Sequence, residues 1–103
     1  KIEVYQNQLS RLFAMFREDA GNTHLPIIIG ELGSFSKNNE KWQALNAKIT
    51  QYVYLDADAY LIKTSDLHHK GDSVHFDSEG QRIMGQRYAE KYVEILRNAE
   101  KER

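Results

Sequence analysis

Apolar side chains return every three or four residues between Glu3 and Asp19, at Tyr5, Leu9, Leu12, Phe13 and Phe16, which is the stripe of an amphipathic helix. Ala20-Gly21-Asn22 ends that pattern, and the period then changes. Leu25-Pro26-Ile27-Ile28-Ile29-Gly30 is apolar at every position and rich in β-branched residues, so it predicts a short strand covered on both faces, with Pro26 admissible only at its start. After a polar loop from Gly33 to Asn39, helical spacing resumes at Trp42, Leu45, Ile49, Tyr52 and Val53, and Ala59-Tyr60-Leu61-Ile62-Lys63-Thr64 predicts the next strand. Beyond a polar stretch from Ser65 to Asp77, Ser78 and Gln81 form a capping-box pattern that opens a last helix reaching Asn98. Its buried side is expected to carry Met84 or Gly85, Tyr88, Ala89, Tyr92, Val93 and Leu96. The same spacing assigns Trp42, Tyr52, Tyr88 and Tyr92 to core packing rather than to a sugar-stacking surface.

Strands alternating with helices imply an α/β fold, with a parallel sheet and helices on both of its faces. Two strands leave both sheet edges open and cannot occupy three amphipathic helices, so residues 1–103 are expected to be the C-terminal portion of a single larger α/β domain. The chain begins at Lys1 rather than Met, so any leader is expected upstream or removed.

Composition narrows the partners. The net charge is −1, with Lys and Arg interleaved among Asp and Glu, so there is no basic stripe and no nucleic-acid partner is expected. The longest apolar run, Leu25 to Ile29, falls far short of the roughly 20 residues of a membrane span, and no membrane partner is expected. The absence of Cys excludes disulfides and thiolate metal sites but leaves the compartment open.

In open α/β sheets, ligands bind beyond the carboxyl ends of the strands, and the loops Gly30 to Ser36 and Ser65 to Asp77 leave from those ends. The second holds Gly71-Asp72-Ser73-Val74-His75-Phe76-Asp77, an acid and an imidazole three residues apart. His75 could take a proton from a hydroxyl nucleophile and return it to a leaving alcohol, with Asp72 holding the ring's other nitrogen. The same residues also fit a plain turn followed by a helix entry, and the sequence pattern leaves both readings open. Ser34 is the best internal nucleophile candidate, but a further polar loop intervenes before the next helix where a nucleophile elbow turns sharply, so it reads as a loop hydroxyl. Ser73 and Ser78 read as a turn residue and a helix cap. Glu31 could line a substrate pocket or accept loop N–H groups, and base rates favour the second. His68, His69, Asp72 and His75 invite a metal reading, but adjacent imidazoles in an extended loop tend to diverge and the spacing matches no zinc pattern, so no metal is expected.

The run Thr64-Ser65-Asp66-Leu67-His68-His69-Lys70-Gly71-Asp72-Ser73-Val74-His75-Phe76-Asp77-Ser78-Glu79-Gly80, followed by Gly85-Gln86-Arg87-Tyr88-Ala89, resembles the last block of SGNH-superfamily carbohydrate esterases. More narrowly it resembles the branch of sialate O-acetylesterases and acetylxylan esterases, to which Pro26 to Gly33 and the Trp42 to Asn46 segment are also similar. The resemblance implies a flavodoxin-like three-layer sandwich with a parallel sheet, the SGNH hydrolase fold, of which this chain holds the C-terminal two-strand portion. It implies hydrolysis of O-acetyl esters on carbohydrate by a Ser-His-Asp mechanism, with His75 as base, Asp72 as its acidic partner and no cofactor. The family's nucleophile block, a Gly-Gln-Ser-Asn-like motif, and its oxyanion blocks do not occur here, so they are expected in the N-terminal part of the same domain. Two other readings remain: a non-catalytic α/β binding or interaction module and, with less behind it, a metal-dependent hydrolase using the His-rich loop.

Overall fold

The computed structural model describes residues 2–35, 39–72 and 75–101. The polar loop's residues 36–38 and the turn residue Ser73 lie outside them. Five elements follow in order: α1 (Ile2–Ala20), β1 (Ile27–Gly30), α2 (Glu40–Leu55), β2 (Ala59–Ile62) and α3 (Ser78–Lys101). The first apolar stripe thus forms one helix, and its end is a Schellman cap: Gly21 N–H donates to Glu18 O and Asn22 N–H to Arg17 O, each at 3.0 Å, with Gly21 at φ +65°.

β1 and β2 pair in parallel, Ile27 opposite Ala59 through Gly30 opposite Ile62. Alternation along the strands sends Ile27, Ile29, Ala59 and Leu61 to one face. There they join Leu9 and Phe13 of α1 and Ile49 and Tyr52 of α2 in the main core, with Phe13 and Tyr52 rings 5.3 Å apart. Gly30 lies on the opposite face against Met84 and Tyr88 of α3. Helices therefore cover both faces of the sheet, as the alternating pattern predicts. Ile27 N–H donates to Asp58 O and Glu31 N–H to Ile62 O, so the backbone groups of Ile28 fall on the β1 edge turned away from β2.

Two expectations about α3 need correction. Its N-cap is Asp77, whose Oδ1 accepts Gly80 N–H at 2.7 Å, and not Ser78. Gln81, expected to close a box, donates instead through Nε2 to Phe76 O. The buried line also differs: Gly80 and Ile95 are buried and Ile83, Met84, Arg87, Tyr88 and Lys91 half-buried, whereas Gly85, Ala89, Tyr92, Val93 and Leu96 are exposed. The helix carries more apolar surface than two strands can cover. On its sheet side Arg87 donates to Lys63 O at 2.8 Å and to both carboxylate oxygens of Asp66.

A polar lock fastens the far end of the sheet. Arg17 of α1 donates to both oxygens of Asp56, at 2.8 and 3.2 Å, and to Leu25 O at 3.0 Å, and Tyr52 donates its hydroxyl to Asp56. Burial pushes the Asp56 carboxyl up, but the hydrogen bonds from Arg17 and Tyr52 outweigh it and hold the group below the usual carboxylate range. Burial, then the Asp56 contact, pushes the Tyr52 hydroxyl up to about 12.

Candidate active site

The loop after β2 folds back on itself and carries His75 on its second arm. Lys70 N–H donates to His75 O and Asp77 N–H to His68 O, each at 2.9 Å, and His69 bridges Phe76 in antiparallel fashion, so the chain doubles back on itself. The reversal needs Gly71, whose φ of +118° is one that residues with a Cβ rarely adopt. Phe35 packs against both arms, 5.2 Å from the rings of His69 and Phe76.

Inside this reversal Asp72 grips His75 twice. Oδ1 accepts the His75 backbone N–H at 2.9 Å, and Oδ2 lies 2.7 Å from Nδ1 of the ring. An ionised carboxylate only accepts, so the contact requires the proton on Nδ1 and leaves Nε2 with a lone pair when the ring is neutral. The His75 side chain is 66% exposed and that of Asp72 37%, so the pair stands at the surface of the described chain.

His75 borders a cavity of about 500 Å³ at the carboxyl ends of the strands, within the usual size of small-molecule sites. Gly30, Glu31, Leu32 and Gly33 form one wall, Trp42 of α2 another, and Phe76, Gln81, Met84 and Tyr88 a third. The first wall is braced by neighbouring elements. Glu31 Oε1 accepts Thr64 N–H at 2.8 Å, and the Thr64 hydroxyl donates to Glu31 O at 3.3 Å, which ties the two strand ends together. Asn46 of α2 matches the Leu32 backbone at both ends of its amide: Oδ1 accepts Leu32 N–H at 2.7 Å and Nδ2 donates to Leu32 O at 2.8 Å. Gly30 admits the Tyr88 ring, since a Cβ there would stand 2.5 Å from Oη. Burial raises the Tyr88 hydroxyl pKa, against a smaller opposite effect of its backbone hydrogen bond with Gly30.

The structure thus brings His75 and Glu31 to one crevice, with Asp72 joined to it through its bonds to His75. Glu31 both lines the cavity and accepts a loop N–H, combining the two readings of its sequence position. Ser34 is half-buried in the loop beyond this wall, where its carbonyl accepts Asn39 Nδ2 at 2.9 Å, and Ser78 is an exposed residue of the first helical turn. His69 Nδ1 accepts Gly71 N–H at 3.0 Å, and His68 is exposed. Among the described residues no three His, Cys, Asp or Glu side chains gather in a way that could hold a metal ion, and no helix is long and apolar enough to cross a membrane. Trp42 departs from its expected place: it is half-buried on the cavity wall rather than in the main core. The role of Asn46 is not legible in the sequence, because an amide at helical spacing gives no sign of a backbone partner 14 residues away.

A larger cleft, of about 660 Å³, lies at the other end of the sheet beside Arg17, Tyr52 and Asp56, whose polar groups are engaged with one another.

No curated protein matches the chain. Residues 1–94 match the family described as SASA, carbohydrate esterase, sialic acid-specific acetylesterase, a span that includes β1, β2, the Asp72 to His75 loop and most of α3. The esters hydrolysed by that class are borne on carbohydrate, in keeping with the resemblance in the segment from Asp72 to Ala89. With nine-tenths of its length matched, the chain belongs to the carbohydrate esterase family of sialic acid-specific acetylesterases.

Proposed function

We propose that this chain supplies the acid-base half of a carbohydrate O-acetylesterase, with His75 as general base and Asp72 as its orienting partner. The observation that carries the reading is the 2.7 Å contact between Asp72 Oδ2 and His75 Nδ1 at the rim of the cavity. With Nδ1 engaged, Nε2 takes the proton of a serine hydroxyl as that oxygen attacks the acetyl carbonyl. The imidazolium, stabilised by Asp72, then protonates the departing sugar oxygen. In the second half-reaction Nε2 takes a proton from water, whose oxygen attacks the acyl-enzyme, and returns it to the serine as acetate leaves. Glu31 lines the substrate side of the cavity.

The serine and the oxyanion donors belong, in this reading, to an N-terminal part of the same SGNH-like domain, of which residues 1–103 form the C-terminal two-strand portion. Three features favour it. The Ile28 backbone faces an edge of β1 without a strand among the described residues, Tyr92, Val93 and Leu96 expose apolar surface on α3, and His75 is open to one side.

The test is acetate release from an O-acetylated sugar by the longest polypeptide that carries this chain. Replacing His75→Ala should lower kcat by about a thousandfold or more with the melting temperature unchanged. Undiminished release would remove His75 from the mechanism.

A further inference from the structure

The geometry points to Trp42 as the platform that holds the sugar of the substrate, a role that rests on the esterase reading and specifies how its carbohydrate is bound. Trp42 is the one tryptophan of the chain. Its helical spacing assigns it to the core, yet it stands half-buried outside the main core and lines the cavity that His75 borders. It belongs to the first turn of α2, one turn before Asn46 and on the same helix face. The residue that fixes the Leu32 wall and the indole are therefore carried by one rigid element.

A pyranose has two kinds of surface, an apolar face of C–H bonds and an edge of hydroxyls. The cavity has a counterpart for each. The indole offers a broad apolar π-surface of low conformational cost. Glu31 uses Oε1 for Thr64 N–H and Gln81 uses Nε2 for Phe76 O, so among the described residues Glu31 Oε2 and Gln81 Oε1 are left to accept hydroxyl protons. Seating the ring on Trp42 places the sugar in the cavity that His75 borders, where the ester oxygen at the ring edge can take the proton of the imidazolium. This chemistry is common to a neutral xylose unit and to the pyranose of a sialic acid, and the two are separated by experiment.

The test measures calorimetric binding of xylotetraose and, separately, of N-acetylneuraminic acid to the longest polypeptide carrying this chain. Binding is compared with turnover of 4-nitrophenyl acetate, which bears no sugar. For at least one of the two sugars, Trp42→Leu and Trp42→Gln should weaken binding by about tenfold, while Trp42→Tyr should keep it within about threefold. Any change in aryl acetate turnover should be smaller than the loss of sugar affinity in each variant, because the sugar is the part of the substrate that the indole carries. The inference is overturned if neither sugar binds saturably to the wild-type protein, or if the substitutions leave sugar affinity intact. It is also overturned if they depress sugar binding and aryl acetate turnover alike, the signature of a purely structural tryptophan. Aryl acetate turnover that survives His75→Ala defeats the esterase reading instead, and does so whatever the sugar titrations give.

Discussion

At Gly30 a single missing carbon shapes the crevice. The Tyr88 hydroxyl occupies the space that a Cβ would need, at 2.5 Å, with the Met84 methyl at 3.2 Å, so Gly30→Ala forces the ring or the strand to move. It should cost about 1–3 kcal/mol in a denaturant titration. Adding Tyr88→Phe removes the nearest atom and should recover a good part of that loss, and a purely additive double mutant would mean that the strain lies elsewhere. The composition of the crevice was partly legible in the sequence. Asp72 and His75 are three residues apart, so local chain geometry alone can join them. The Asn46 bracket on Leu32 and the Thr64 contact of Glu31 join residues 14 and 33 positions apart, and no periodic pattern encodes such polar matches.

The apolar runs located all five elements because each run has one dominant period, and the observed ends differ from the predicted ones by only a few residues, as helix and strand ends commonly do. What the runs could not fix was rotation and capping. On α3 Tyr92, Val93 and Leu96 are exposed, whereas Met84 and Tyr88 of the same helix meet Gly30 of β1. The Arg87 guanidinium holds the Asp66 carboxyl below the usual carboxylate range, at about 2. The observed cap lies one residue before the one the pattern predicts, because Asp77 and Ser78 are both good N-cap types and only the Asp77 bond to Gly80 decides between them. Asp77→Ala should therefore destabilise the protein by about 1 kcal/mol, whereas Ser78→Ala should cost only a few tenths. Equal losses in thermal or chemical unfolding would contradict the assignment.

For the molecule as a whole, the two ends of the sheet are held by different means and serve different ends. The end away from the crevice is fastened by Arg17, Asp56 and Tyr52, which join α1, α2 and the turn into β2. The folded protein holds the Tyr52 hydroxyl at about 12 against an ordinary value of 10.0, so it favours the neutral phenol. That contribution is fully present below pH 10 and is lost as pH rises towards 12. Denaturant midpoints across this interval should fall more steeply for the wild type than for Tyr52→Phe, and parallel curves would exclude Tyr52 as the titrating group. The crevice end carries Asp72 and His75, and in the proposed mechanism Asp72 fixes one tautomer of His75. Nitrogen NMR of the His75 ring in mildly alkaline solution, in the longest polypeptide carrying this chain, tests it most directly. The account predicts a protonated Nδ1 and a bare Nε2 in the wild type, and a mixture of tautomers after Asp72→Ala. A proton on Nε2 in the wild type, or a spectrum indifferent to Asp72, would contradict it.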